Sequence, residues 1–213
     1  MLKPFSGQPA HLVKRFKEQS RLTPEKLLFF EKLDDQWSGL TYRQIEIRIT
    51  QLALYMTKLG LMPGDHVLLC AENRIDWAVA DLAIMAIGCV VVPAYTTNTE
   101  DDHAWLIDHS QVKLVICCAG KVGDSLAKVL CEQFSVANMI LMDQAAAEFQ
   151  GPKNTSVHFL HEIYACGDTE RKLDEVFHDA PETEPCCLIY TSGTGGRPKG
   201  VLLTHKSIQA NID

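Results

Sequence analysis

The sequence predicts an α/β fold in which a mostly parallel sheet is flanked by helices. Short apolar runs of strand length, at residues 66–70, 89–94, 112–118 and 139–142, alternate with segments whose apolar residues recur at helical spacing. These runs lack the alternation of a strand with one wet face. They are therefore expected to be covered on both sides, as in sheets built from right-handed strand-helix-strand crossovers. With 213 residues, 46% of them apolar and 22% charged, the chain has the composition of a folded protein rather than a disordered or fibrous one. At this size burial alone sustains a core, without a metal or disulfide staple.

Each element has its own signal. Residues 27–33, the turn Asp34-Asp35-Gln36 and residues 37–40 read as a hairpin. Thr41-Tyr42-Arg43-Gln44 is a capping-box pattern, after which Ile45, Ile49, Leu52, Met56 and Leu59 mark one helical face until Gly60 ends it. The turn residues Pro63-Gly64-Asp65 precede the strand at 66–70. Residues 76–87 are apolar nearly all round and predict a buried helix stopped by Gly88. Residues 89–94 are a β-branched strand, and Thr99 with Asp102 caps the helix that runs to His109.

Val122, Leu126, Val129, Leu130 and Phe134 mark a further helical face between the strands at 112–118 and 139–142. Residues 143–183 are polar and read as a connecting region with short helical patterns at 161–165 and 171–177. Residues 186–190 are a buried strand followed by a glycine-rich loop. The expected organisation is an N-terminal segment and hairpin over 1–40, an α/β subdomain with its connection over 41–180, and the start of a next subdomain over 181–213. No internal repeat is visible.

Several function classes fall away. Twenty basic and 27 acidic residues give a net charge of −7, and the basic residues are scattered, which argues against a nucleic-acid partner. The apolar run at 82–95 is broken by Gly88 and Pro93 and is shorter than the ~20 residues of a membrane span, although peripheral membrane contact stays open. The N-terminus has no secretory h-region, so a cytoplasmic protein is expected. The eight cysteines include the adjacent pairs Cys117-Cys118 and Cys186-Cys187 in apolar runs, and are expected to be reduced core residues. His158 with His161, and His103 with His109, lack a third ligand at a suitable spacing, so no metal site is assigned. Trp77 and Trp105 read as core residues. The carboxylate pairs Asp34-Asp35, Asp101-Asp102 and Glu182/Glu184 sit at turns and helix starts and are assigned no catalysis.

The segment at 188–205, LIYTSGTGGRPKGVLLTH, carries the chemistry. It follows a buried strand with glycines that allow close backbone approach, hydroxyls at Thr191, Ser192 and Thr194, and a point charge at Lys199. Backbone N–H groups in such a loop converge on an anion, and phosphate is the anion that uses them. It is not a Walker loop, because Pro198 precedes the lysine and Gly200 follows it; nor does it match G-x-G-x-x-G. The competing reading is a plain hairpin between 186–190 and 201–204 whose glycines only make the turn. His205, after the second strand, is a further candidate to lie near the loop.

The stretch YTSGTGGRPKGV resembles the phosphate-binding signature of the adenylate-forming superfamily, whose usual form is YTSGTTGxPKGV. That superfamily includes acyl- and aryl-CoA synthetases, luciferases and the adenylation domains of peptide synthetases. Trp37 with LTYRQI, GLMPGDHVLLCAENRIDW, the unit at 83–93 and DHSQVKLVICC resemble its N-terminal region in order and spacing, and GCVVVPAYTTNT looks most like long-chain fatty acyl-CoA synthetases. Gly195 stands where the family has a second threonine.

The resemblance implies a two-step ligation. A carboxylate, expected to be a fatty acid, attacks the α-phosphorus of magnesium ATP to give acyl-adenylate and pyrophosphate, and the thiol of coenzyme A then displaces AMP. It implies contact to the ATP phosphates by Thr191, Ser192, Gly193, Thr194, Gly195, Gly196 and Lys199, with position 195 lacking the family's hydroxyl. The expected metal, Mg2+, has its binding acid downstream in the family, as do the adenine and ribose contacts, most of the acyl pocket and the catalytic lysine. No catalytic residue is therefore assigned here. The chain stops within a helix expected to start near Thr204, so it reads as an N-terminal portion of an acyl-CoA synthetase, inactive alone. The alternatives are a non-catalytic phosphate-binding module or pseudo-enzyme, and an acyl-AMP ligase with another acceptor.

Overall fold

The computed structural model describes residues 11–33, 35–133, 136–144, 149–191 and 197–211. The chain begins with helix α1 (Leu12–Leu22), followed by the antiparallel hairpin β1 (Leu27–Leu33) and β2 (Gln36–Thr41). Helix α2 (Tyr42–Lys58) starts at the expected capping box, in which the Gln44 amide donates to Thr41 Oγ1 and the Thr41 amide to Gln44 Oε1. Strands β3 (His66–Cys70), β4 (Val90–Pro93), β5 (Leu114–Cys117) and β6 (Asn138–Leu141) follow, separated by α3 (Ile75–Ala86), α4 (Glu100–Ser110) and α5 (Lys121–Gln133). Then come β7 (Ser156–Phe159), α6 (Leu160–Cys166), a 3-10 turn (Leu173–Glu175), β8 (Pro185–Thr191), β9 (Lys199–Thr204) and α7 (His205–Gln209).

Seven strands form one sheet in the order β7-β6-β5-β3-β4-β8-β9, parallel throughout except for β9, which runs antiparallel to β8. Successive side chains of each strand enter opposite layers. Val67, Leu69, Val91, Leu114, Ile116 and Ile140 pack under α1, α2, α3 and α6. Leu68, Cys70, Val92, Val115, Met139 and Leu141 pack under α4 and α5. The chain steps from β3 to β4 in one direction and from β4 to β5 and β6 in the other, so right-handed crossovers send α3 and the α4/α5 pair to opposite faces.

The strands and helices expected over residues 27–142 are present. Two elements are not legible in the sequence. Helix α1 buries Val13, Phe16, Lys17 and Ser20, a stripe of correct spacing in which two of the four positions are polar. Its docking relies on ion pairs from Lys17 to Asp174 (2.5 Å) and Arg21 to Asp174 (2.6 Å), and on Lys17 lying 3.9 Å from the Phe177 ring centroid. Strand β7 lies in the region read as a connection; it is an edge strand, half polar, held by its register on β6. The strands β8 and β9, expected to open a further subdomain, stand in the same sheet as β3 to β7. The helix expected from Thr204 has its cap, with the Ser207 amide donating to Thr204 Oγ1, and spans five residues. Among the described residues no helix is long and apolar enough to cross a membrane.

Gly88 ends α3 at φ +74°, and a Cβ there would stand 2.5 Å from the His178 ring and 3.0 Å from Pro63. The turn between α3 and β4 thus needs a residue without a side chain, both for its dihedral and for the segment docked on it through the His178 amide and the Ala86 carbonyl (2.8 Å). Gly88→Ala is expected to destabilise the fold by about 1–3 kcal/mol, read as a lowered urea midpoint. An unchanged midpoint would mean that His178 swings aside and the turn relaxes without cost.

Candidate functional site

Because β3, β4, β5, β6 and β8 are parallel, their carboxyl ends share one edge of the sheet, the edge at which open α/β sheets bind ligands. The glycine-rich segment leaves β8 at that edge and returns along β9. Thr191 and Lys199 face each other in the β8–β9 register, both exposed. The loop therefore does close a hairpin, as the competing reading had it. Its span of seven residues, 192–198, exceeds the two to five usual for hairpins. Of the residues expected to contact phosphate, Thr191 and Lys199 are brought together at the stem; Ser192, Gly193, Thr194, Gly195 and Gly196 lie outside the described residues. Lys199 is exposed and makes no ion pair with a described residue.

Trp105, read as core, and His109, weighed as a metal ligand, between them touch both stems. Leu188 and Tyr190 of β8 face the α4/α5 layer, which carries the Tyr190 hydroxyl to His109 Nδ1, 2.7 Å away. The Trp105 indole N–H donates to the Pro198 carbonyl (3.2 Å), and the Arg197 guanidinium lies 4.6 Å from the Trp105 ring centroid. Trp105 and His109 are one helical turn apart on α4, with ring centroids at 5.0 Å. The only sequence signal for this pairing was that i, i+4 spacing beside the core residues Leu106 and Ile107.

A cavity of ≈510 Å³ opens on the same edge, lined by Glu72, Trp77, Pro93, Tyr95, Ile189 and Tyr190 among others. The nearby thiols are not nucleophiles: burial pushes Cys70 up to about 12 and Cys118 up to about 11, so both stay protonated near neutral pH. The histidines weighed as metal ligands have other neighbours. His158 contacts the Tyr55 hydroxyl (2.9 Å) and Asn138 Oδ1 (3.0 Å), and His103 is buried in α4 with its pKa lowered by that burial.

The chain matches the AMP-binding enzyme family over residues 16–213. It belongs to that family. It is 28% identical over 210 residues to the long-chain-fatty-acid–CoA ligase FadD15 of Mycobacterium tuberculosis, covering 98% of this chain and 34% of that protein. It is 26% identical over 216 residues to fatty acyl-CoA synthetase A of Dictyostelium discoideum, covering 99% of this chain and 31% of that protein. Among solved structures, the luciferase-like enzyme of the nonluminescent mealworm Zophobas morio superposes with a TM-score of 0.75 at 18% identity, over 97% of this chain and 45% of that one. The chain thus spans about a third of the length of the curated relatives it matches.

In this member of the AMP-binding enzyme family His205 lies away from the described loop stems. It follows the far end of β9, six residues or about 20 Å of strand from Lys199. There it stacks on His11 (centroids 3.7 Å, planes 19° apart) against the edge of Phe177. Both rings are buried, and burial lowers each pKa to about 4. His11 is pushed further down by Lys14 and up by Asp179; His205 is pushed down by His11. An imidazole whose pKa falls on folding is neutral in the folded state. Its contribution is complete above the unfolded value of ~6.5 and is lost as pH falls toward 4. Urea stability should therefore decline between pH 6.5 and 4, and His205→Phe, which keeps a ring on His11 but takes up no proton, should flatten that decline. Equal slopes in the two proteins would assign the acid sensitivity elsewhere.

Proposed function

We propose that this chain is the part of an ATP-dependent acid–thiol ligase that holds the departing pyrophosphate, in an enzyme that activates a fatty acid as acyl-adenylate and passes it to coenzyme A. The observation that carries the reading is the seven-residue glycine-rich loop on the carboxyl edge of the parallel sheet, with Lys199, which makes no ion pair with a described residue, at its return stem. Family membership supports ATP and the adenylate chemistry. The fatty-acid ligases among the relatives support the substrate class and coenzyme A as acceptor.

In this reading a carboxylate oxygen attacks the α-phosphorus, the bond from that phosphorus to the bridging oxygen breaks, and pyrophosphate leaves with the electron pair. Little covalent chemistry is asked of the protein; positioning and charge neutralisation are. Thr191, Ser192 and Thr194 offer hydroxyl donors, Gly193, Gly195 and Gly196 leave backbone N–H groups free to approach, and Lys199 offsets the charge that builds as pyrophosphate departs. Among the described residues no group of three or more His, Cys, Asp or Glu is placed to hold a metal ion. Magnesium would arrive with the ATP phosphates, its binding acid lying downstream in the family that the sequence resembles. The cysteines, all free, support a reducing compartment, the cytoplasm.

In the complete enzyme, Lys199→Ala should lower fatty-acid-dependent ATP–pyrophosphate exchange by about ten- to a thousandfold, the range for losing one preorganised donor. Thioester formation from supplied acyl-adenylate should fall much less. Equal losses in both half-reactions would make Lys199 structural.

The 213-residue chain by itself is expected to release no pyrophosphate with fatty acids of any length, because in the family the remaining site parts lie downstream. Turnover by this chain alone would overturn this placement of the site.

A further inference from the structure

The seven-residue loop poses a physical problem. A phosphate cradle is effective only when its donors are already aimed. Something must hold the stems. On one side, Tyr190 directly precedes Thr191 and is 8% exposed, and its hydroxyl reaches His109 Nδ1 at 2.7 Å. On the other side, Arg197 and Pro198 directly precede Lys199. The Pro198 carbonyl accepts the Trp105 N–H at 3.2 Å, and the Arg197 guanidinium rests on the Trp105 ring at 4.6 Å.

All three contacts end on one turn of α4, which is itself firmly placed. Its N-terminus is closed by a reciprocal box, the Asp102 amide donating to Thr99 Oγ1 (3.2 Å) and the Thr99 amide to Asp102 Oδ2 (3.0 Å). Leu106 and Ile107 are buried in the core beneath it. A trans peptide is planar, so a hydrogen bond to the Pro198 carbonyl also sets the direction of the Lys199 N–H. The indole bond therefore orients the first peptide of the return stem, and the Tyr190–His109 bond fixes the last residue before the outgoing one.

We propose that Trp105 and His109 form a two-point clamp on the loop stems, making α4 the positioning element for the nucleotide's phosphates. The clamp rests on the reading of the loop as the ATP phosphate site, and neither residue need touch ATP. Trp105 contributes in two separable ways: its N–H orients Pro198, and its ring face holds the Arg197 charge close to the loop without neutralising it, since Arg197 makes no ion pair with a described residue.

The test uses Trp105→Ala, Trp105→Phe and Arg197→Leu. In hydrogen exchange on this chain without nucleotide, Trp105→Ala should speed exchange of the backbone amides in peptides spanning 191–200 by about tenfold while leaving β3 and β5 unchanged, as expected for local opening. Trp105→Phe, which keeps the ring under Arg197 and lacks the N–H, should fall between. In the complete enzyme Trp105→Ala should raise the KM for ATP by about tenfold with a smaller change in the KM for fatty acid, the split expected when only phosphate binding is disturbed. Unchanged loop exchange in both Trp105→Phe and Arg197→Leu overturns the clamp even if Trp105→Ala does not fold, as does an equal rise in both KM values. If the loop amides respond and the unsubstituted complete enzyme gives no fatty-acid-dependent ATP–pyrophosphate exchange, the clamp stands and the functional reading fails.

Discussion

The structure depends on one constraint: the central strands are apolar on both faces and must be covered on both. Val67 and Leu69 of β3 point into one layer, Leu68 and Cys70 into the other, and β4, β5 and β6 repeat this division. No arrangement with helices on one side alone would bury them. Coverage on both sides requires crossovers that reverse direction along the sheet, as the step from β3 to β4 and the return to β5 do. That reversal brings the connecting loops together at the carboxyl edge, where strand ends leave backbone groups unpaired and a crevice opens. The location of the candidate site is thus a consequence of how the core is buried.

At that edge Lys199 has no carboxylate partner among the described residues, while the thiols close by are held protonated by burial. The only strong electrostatic feature of the described loop stems is therefore positive charge, at Lys199 and at Arg197 over Trp105. In the proposed function this positive charge faces the polyphosphate of ATP.

Legibility followed the strength of local signals. The boxes at Thr41/Gln44 and Thr99/Asp102 were readable because capping is a contact between residues three apart, and both formed as written. The strands from β3 to β6 were readable because full burial leaves no polar residue to blur the run. Helix α1 was not, because Lys17 and Ser20 occupy buried positions that only Asp174, Phe177 and Glu46, distant in sequence, make tolerable. Strand β7 was not, because an edge strand is selected by its neighbour's register and His158 satisfies its ring through Tyr55 and Asn138. Of the site, the glycine-rich loop was legible as residue types. The hairpin that sets Thr191 opposite Lys199 was legible as the competing reading, and it is compatible with the loop's proposed chemistry.

By itself the sequence determined the α/β class, the order of most elements, the family and the segment that meets phosphate in the proposed function. These depend on periodicity, caps and a motif, all of which are properties of residues near one another along the chain. Only the tertiary structure decided that β8 and β9 extend the same sheet as β3 to β7. Only it moved His205 to the opposite end of β9, onto His11, and brought Trp105 and His109 to the loop stems. Each of these is a contact between segments separated by about eighty residues or more, or a choice of strand neighbour. Such contacts are set by which apolar faces find cover and by the direction of each crossover, and no local pattern records either.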